Sequence, residues 1–219
     1  MADATIPTCI YPTNEVYDKI LSNAYQYCIN INNEYERNKY TIPLKLYPTS
    51  NSIVYEYKIL SDKQDLVCTI QLSIALENYK HYYTRSDTAP SCYGIYISSL
   101  DTEKPYLRQG HATRLLLYAV CDVCLLNKYQ KLSFVRLEDA TVGNQRRMKG
   151  HIYHKIGFTP TGLIELNINQ KDYMKGIDSE RIVSMEYLLT VIIPNYMMKG
   201  GSSKQKTRKS KTKKNKRAL

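Results

Sequence analysis

The segment richest in chemistry is Tyr106-Leu107-Arg108-Gln109-Gly110-His111-Ala112-Thr113. It follows a strand-like run and opens an apolar helical one. The first N–H groups of a helix have no partner within it and sit at the positive end of its dipole, so a phosphate or pyrophosphate is stabilised there. Gly110 permits close approach of the backbone, Ala112 keeps the first turn open, and Arg108, His111 and Arg114 add positive charge. The same residues also suit plain packing of a strand-to-helix junction, and a Gly-x-Ala turn alone does not choose between the two.

Candidates for proton chemistry are fewer. Glu138 and Asp139 follow a short strand, at the end of parallel strands where ligands collect, and they are equally two acids in a polar turn. His111 and His154 titrate in a useful range; His111 reads as a phosphate neighbour and His154 as a surface residue. Cys121-Asp122-Val123-Cys124 has C-x-x-C spacing, yet it lies inside an apolar helical run with no second pair at zinc spacing, and reads as core packing. His151 and His154 are too isolated to hold a metal, and none is expected.

These residues need elements to position them. Val16, Tyr17, Ile20, Leu21, Ala24, Tyr25 and Cys28 recur at three- and four-residue spacing, which predicts an amphipathic helix over Asn14 to Ile29, followed by a polar stretch from Asn32 to Lys39. Ile53 to Leu60 and Leu66 to Leu76 predict a hairpin around Ser61 to Asp65. Cys92 to Leu100 suits a strand, Ala112 to Asn127 is apolar nearly all round, and Leu132 to Leu137 is another short strand. Strand, loop, buried helix and strand make a βαβ unit with a parallel pair. A second helix, about Gln145 to Ile156, should end at Gly157. Final strands are expected near Leu163 to Ile168 and Ile182 to Ile193. The fold class is therefore α/β, with a mixed sheet.

Composition bounds the rest. A chain of 219 residues with 43% hydrophobic and 23% charged residues suits one domain with extensions. Ten of its 31 basic residues lie between Lys199 and Arg217 with no acid among them; the other 21 face 20 acids, so all but one of the net charge of +11 belongs to the tail. We expect a folded domain over residues 1–198 and a disordered, Lys/Arg-rich tail over 199–219. Six scattered cysteines and no basic-then-apolar leader predict reduced thiols and an intracellular, cytoplasmic setting. The apolar run Tyr187 to Ile193 falls well short of the roughly 20 residues a bilayer span needs, so no membrane partner is expected. Tyrosine is abundant at 21, against two Phe and no Trp.

The order of these motifs resembles the GNAT superfamily of N-acetyltransferases, whose pattern Q/R-x-x-G-x-G/A at a strand-to-helix junction holds the CoA pyrophosphate. Gly110 and Ala112 fill its fourth and sixth positions, and Leu107 stands where Gln or Arg is usual. Ile152-Tyr153-His154-Lys155-Ile156-Gly157-Phe158 resembles the family's late-helix ending. The resemblance covers about residues 53 to 190. It implies a GNAT-like acyl-CoA N-acyltransferase fold, acetyl-CoA as co-substrate, and direct transfer of an acetyl group to a primary amine. Leu107, Arg108, Gln109, Gly110, His111, Ala112, Thr113 and Arg114 would form the pyrophosphate loop. Ile97, Ser98 and Ser99 would hold the carbonyl and pantetheine arm where their strand splays from the next. Tyr153 would protonate the leaving thiolate, Glu138 would deprotonate the amine, and Asn144 would cap the second helix or touch CoA. The acceptor amine and the oligomeric state carry no sequence signal.

The tail is similar in composition to endings in proteins of large DNA viruses, which would place the chain in host cytoplasm, nucleus or virion. Its cations imply salt-sensitive nucleic-acid association. The rival function is accordingly a catalytically inactive GNAT-like binding module attached to nucleic acid through residues 199–219.

Overall fold

A computed structural model describes residues 13–50, 52–78, 91–138, 152–160 and 180–200. They form helix α1 (Asn14–Arg37), strands β1 (Leu44–Pro48), β2 (Ile53–Leu60), β3 (Leu66–Asn78) and β4 (Ser91–Thr102), and a 3₁₀ turn (Lys104–Tyr106). Helix α2 (His111–Leu126), β5 (Phe134–Glu138), a short α3 (Ile152–Lys155), β6 (Thr159–Pro160) and β7 (Glu180–Ser184) follow. The last helix, α4, begins as Met185–Tyr187, passes through a π-helical stretch Leu188–Ile192 and ends as Ile193–Gly200.

The strands make one sheet in the order β1-β2-β3-β4-β5-β7-β6. Among the described residues its only parallel pair is β4 with β5, joined through α2 as the βαβ reading requires. The β2–β3 hairpin forms about the expected turn, where Ser61 N–H donates to Asp65 O at 3.0 Å. Edge strand β1 was not foreseen; Leu44 and Leu46 alternate with Lys45 but are exposed, so no buried face marks the strand.

Helix α1 starts at Thr13, whose hydroxyl accepts from Val16 N–H at 3.3 Å. It runs past Ile29 to Arg37, correcting the expected polar stretch. The asparagines there are weak helix formers, but Ile31 and Tyr35 continue the buried stripe of Tyr17, Ile20, Ala24, Tyr27 and Cys28, and packing outweighs propensity. The helix closes in a Schellman turn. Lys39 adopts φ 59°, Tyr40 N–H reaches Tyr35 O at 2.8 Å, and Lys39 N–H reaches Glu36 O at 3.0 Å. The accompanying apolar contact is the edge-to-face pair Tyr35–Tyr40, with ring centroids 5.6 Å apart.

Helix α2 is buried on several sides, with Leu115, Leu116, Leu117 and Val120 fully enclosed. Each such leucine contributes roughly 1.5–3 kcal/mol relative to exposure. Cys121 and Cys124 lie in this core as free thiols, and burial pushes the Cys124 thiol up to about 12, which suits packing rather than thiolate chemistry. Cys28 and Cys68 are also free, whereas Cys92 is disulfide-bonded. That corrects the expectation of reduced thiols for this residue, since sequence spacing does not say which sulfurs meet.

Several tyrosines serve the core as apolar bodies whose hydroxyls reach a polar rim. Tyr17 donates to Gln130 O at 3.1 Å and Tyr57 to Asp122 Oδ2 at 2.8 Å. Desolvation raises the Asp122 carboxyl above its ordinary value, against the lowering effect of the Tyr57 bond.

The expected strand from Ile182 to Ile193 is a strand only to Ser184. The Ser184 hydroxyl accepts from Tyr187 N–H at 3.1 Å and starts a helix. Met185, Leu188, Leu189 and Ile192 are buried at helical spacing, and short apolar runs do not distinguish strand from helix by periodicity. In the π stretch Ile193 N–H bonds Leu188 O, so the next such bond, to Leu189 O, would come from Pro194, which has no N–H. Asn23 of α1 supplies the missing donor, its side-chain amide reaching Leu189 O at 2.8 Å. The helix continues through Gly200, beyond the expected domain limit at Met198. Among the described residues no helix is long and apolar enough to cross a membrane. The expected strand at Leu163 to Ile168 and residues 201–219 lie outside the described residues.

Candidate active site at the ends of β4 and β5

The parallel pair stops early. Gly94, Ile95, Tyr96 and Ile97 pair with Phe134, Val135, Arg136 and Leu137, and there the β4–β5 ladder ends. Strand β4 runs on to Thr102 bonded only to β3, so its other edge keeps free backbone groups among the described residues. A register shift at Gln71/Leu72 leaves Ser98 unpaired, because Gln71 opposes Ser99 while Leu72 opposes Ile97. The Ser98 hydroxyl ties this bulge down by donating to Gln71 O at 3.2 Å. Ile97 is buried, Ser98 exposed, and Ser99 and Leu100 half-buried. Ile97 is the last β4 residue paired with β5, and Ser98 and Ser99 follow it on the edge left open among the described residues.

Beyond β4 the chain passes through the 3₁₀ turn into the loop. Leu107 is 53% exposed with extended backbone, its N–H on Lys104 O at 3.4 Å, and its side chain takes no part in the core. Arg108 and Gly110 then have φ of 62° and 85°. For Arg108 this left-handed conformation costs roughly 1–2 kcal/mol, the kind of strain that ligand-holding turns retain. No described group accepts from the backbone N–H of Arg108, Gln109, Gly110, His111, Ala112 or Thr113. These donors make a candidate anion cradle at the start of α2.

The loop is braced from behind. Gln109 Nε2 donates to Pro105 O at 3.1 Å, and Arg114 Nη1 donates to Gln109 O at 3.2 Å. Arg114 also pairs with Glu34 of α1 at 3.4 Å. His111 turns inward, 5% exposed, into a box formed by Tyr35, Tyr40 and Tyr106. Its Nδ1 lies 3.3 Å from the Tyr35 hydroxyl. Burial lowers the His111 pKa, Arg114 lowers it further, and Glu34 opposes them; burial also raises the Tyr35 phenol. The Tyr35 hydroxyl and His111 Nδ1 thus share one hydrogen bond within the box. Positive charge at the cradle comes from Arg108 and Arg114.

Glu138 ends β5 one residue beyond the last β4–β5 pair, and it is exposed and opposite Glu180 of β7. Tyr153 lies in α3, half-buried, with its ring 5.7 Å from Phe158 in an edge-to-face contact. Phe158 N–H closes the helix on Tyr153 O at 2.9 Å, with Gly157 at φ 86°, as its glycine predicts. Asn144 and Asp139 lie outside the described residues, as does the backbone of His151. Among the described residues no group of His, Cys, Asp or Glu is arranged to hold a metal ion.

Sequence reasoning missed Glu34, Tyr35 and Tyr40, which form the rear wall of the loop. Their signal was the Schellman turn, hidden because Lys39 occupies the left-handed position where Gly or Asn is usual.

No protein-family model matches the sequence, nor does any curated protein. Solved structures do resemble the fold. AtaT complexed with acetyl-methionyl-tRNAfMet is 9% identical over 87% of this chain and 94% of its own, with a TM-score of 0.46. A KacTA–DNA complex is 10% identical over 90% and 94%, with a TM-score of 0.45. Naa50 of Arabidopsis thaliana, in complex with the bisubstrate analogue CoA-Ac-MVNAL, is 21% identical over 59% and 70%, with a TM-score of 0.35. The parallel pair bridged by α2, with its ladder ending at Ile97 and Leu137, is the βαβ unit expected from the sequence.

Proposed function

We propose that this chain is an acetyl-CoA-dependent N-acetyltransferase acting on a primary amine. The observation that supports this most is the conjunction, at one end of the parallel pair, of the unpartnered N–H groups of residues 108–113 with the open edge of β4 beyond Ile97. A pyrophosphate suits the first, and the amide-bearing pantetheine arm suits the second because it can bond to a free strand edge.

In the reaction the amine nitrogen attacks the thioester carbonyl, a C–N bond forms, and the C–S bond breaks. At neutral pH an amine of ordinary pKa is almost wholly protonated, so its proton must first leave, to Glu138 directly or through water. A backbone N–H at the Ser98 bulge would stabilise the developing oxyanion. Tyr153 would return a proton to the CoA thiolate.

The test is calorimetric titration of the full chain with acetyl-CoA, alongside Gly110→Glu, whose bulk and charge block the cradle. Micromolar binding lost in the variant supports the donor site; a folded wild-type chain that does not bind at high micromolar acetyl-CoA overturns the reading. An amine screen then follows, in which Tyr153→Phe should lower kcat by about 10²-fold or more while leaving acetyl-CoA affinity unchanged. The ten tail cations favour a second reading, an inactive module held on nucleic acid, which predicts salt-sensitive binding to a polynucleotide and no turnover with any amine.

A further inference from the structure

The bracing behind the cradle assigns Arg114 a role other than that of a charge facing the ligand. Its side chain donates to Gln109 O at 3.2 Å, and its own backbone N–H donates to Gly110 O at 3.1 Å. One residue thus holds two successive carbonyls. In a planar trans peptide the C=O and N–H point in opposite directions. Drawing the Gln109 carbonyl toward Arg114 therefore turns the Gly110 N–H away from it, and holding the Gly110 carbonyl down the helix turns the His111 N–H out of its end.

The guanidinium is itself held in place. Glu34 fixes its other nitrogen at 3.4 Å, both side chains being 36% exposed, and the same guanidinium faces the Tyr35 hydroxyl that is hydrogen-bonded to His111. Glu34 and Tyr35 belong to the last turns of α1, far from the loop in sequence.

We propose that Arg114 is a positioning residue, clamped by Glu34 of α1, that orients the Gly110 and His111 N–H groups toward the bound phosphate. The inference rests on the acetyl-CoA reading for the identity of the ligand, whereas the clamp itself is a property of the free protein.

Glu34→Gln separates this role from direct charge pairing by sign. If Arg114 simply met a phosphate, removing the neighbouring carboxylate would release its charge and tighten acetyl-CoA binding. If Arg114 positions the loop, loosening the clamp weakens binding, by about fivefold to tenfold for one charge-assisted contact. Arg114→Lys, which keeps the charge and loses the planar fork, should weaken binding similarly. A second measurement needs no ligand: in Glu34→Gln the Gly110 amide resonance should shift and its hydrogen exchange should accelerate. Tighter binding by Glu34→Gln, or an unmoved Gly110 amide in both variants, would overturn the inference. Absence of acetyl-CoA binding by the wild type would instead overturn the functional reading, leaving the amide measurement to decide the clamp.

Discussion

Replacing Gly110 by Ala isolates conformation from space. A Cβ at this position meets nothing nearer than Arg114 Nη1 at 3.5 Å, an ordinary van der Waals contact. The backbone, however, stands at φ 85°, which costs an L-residue roughly 1–2 kcal/mol. The loop is exposed, so the variant can relieve this strain by relaxing toward negative φ, which rotates the flanking peptide planes and turns the donors out of the cradle. Binding must then restore the strained form, and acetyl-CoA affinity should fall by about five- to thirtyfold, the same energy expressed as a ratio. Because relaxation spares the folded state, Tm should fall by less than about 4 °C. Calorimetry and thermal melts on one preparation read both quantities. Affinity within about twofold of wild type, with an unchanged Tm, would refute the claim that the left-handed Gly110 shapes the donor site.

Gly157 offers the opposite case, since its left-handed φ of 86° coincides with a Cβ position only 2.6 Å from Tyr187 Cε1. Gly157→Ala should destabilise by about 2–5 kcal/mol through strain and overpacking together, and by only about 1–2 kcal/mol in a Tyr187→Ala background, as denaturant melts would show. His111 gives a pH signature. Its pKa is held below the ordinary value of 6.5, so as pH falls the unfolded chain takes up the proton first. Stability contributed by neutral His111 is complete above that value and declines as pH drops toward the lowered native pKa. His111→Gln, which never takes a charge, should flatten this part of the Tm–pH curve; an unchanged slope would show that the Tyr35, Tyr40 and Tyr106 box does not disfavour the charged ring.

Legibility in the sequence followed the range of the interaction. Helix α2 could be read because its apolar residues lie within a few turns of one another, and the turn at Gly157 because a glycine can close a helix by itself. The end of the β4–β5 ladder at Ile97 has no signal in the sequence, since no local pattern announces where the pairing of two parallel strands stops. The end of α1 and the helix from Met185 were misread for related reasons. Their conformations depend on burial against distant segments, Ile31 and Tyr35 on the sheet side and Leu189 facing Asn23, and neither neighbour appears in any local window.

By itself the sequence determined helix α2 and the β2–β3 hairpin, the glycines that allow positive φ, and the separation of a nearly neutral domain from a basic tail, because these follow from local sterics and composition. Only the tertiary structure decided that the terminal turns of α1 stand behind the loop at Gly110. That juxtaposition places Glu34 on Arg114 and Tyr35 on His111. It arises from packing α1 against α2, and contacts between segments so far apart along the chain are set by the shared core rather than by the residues adjoining either one.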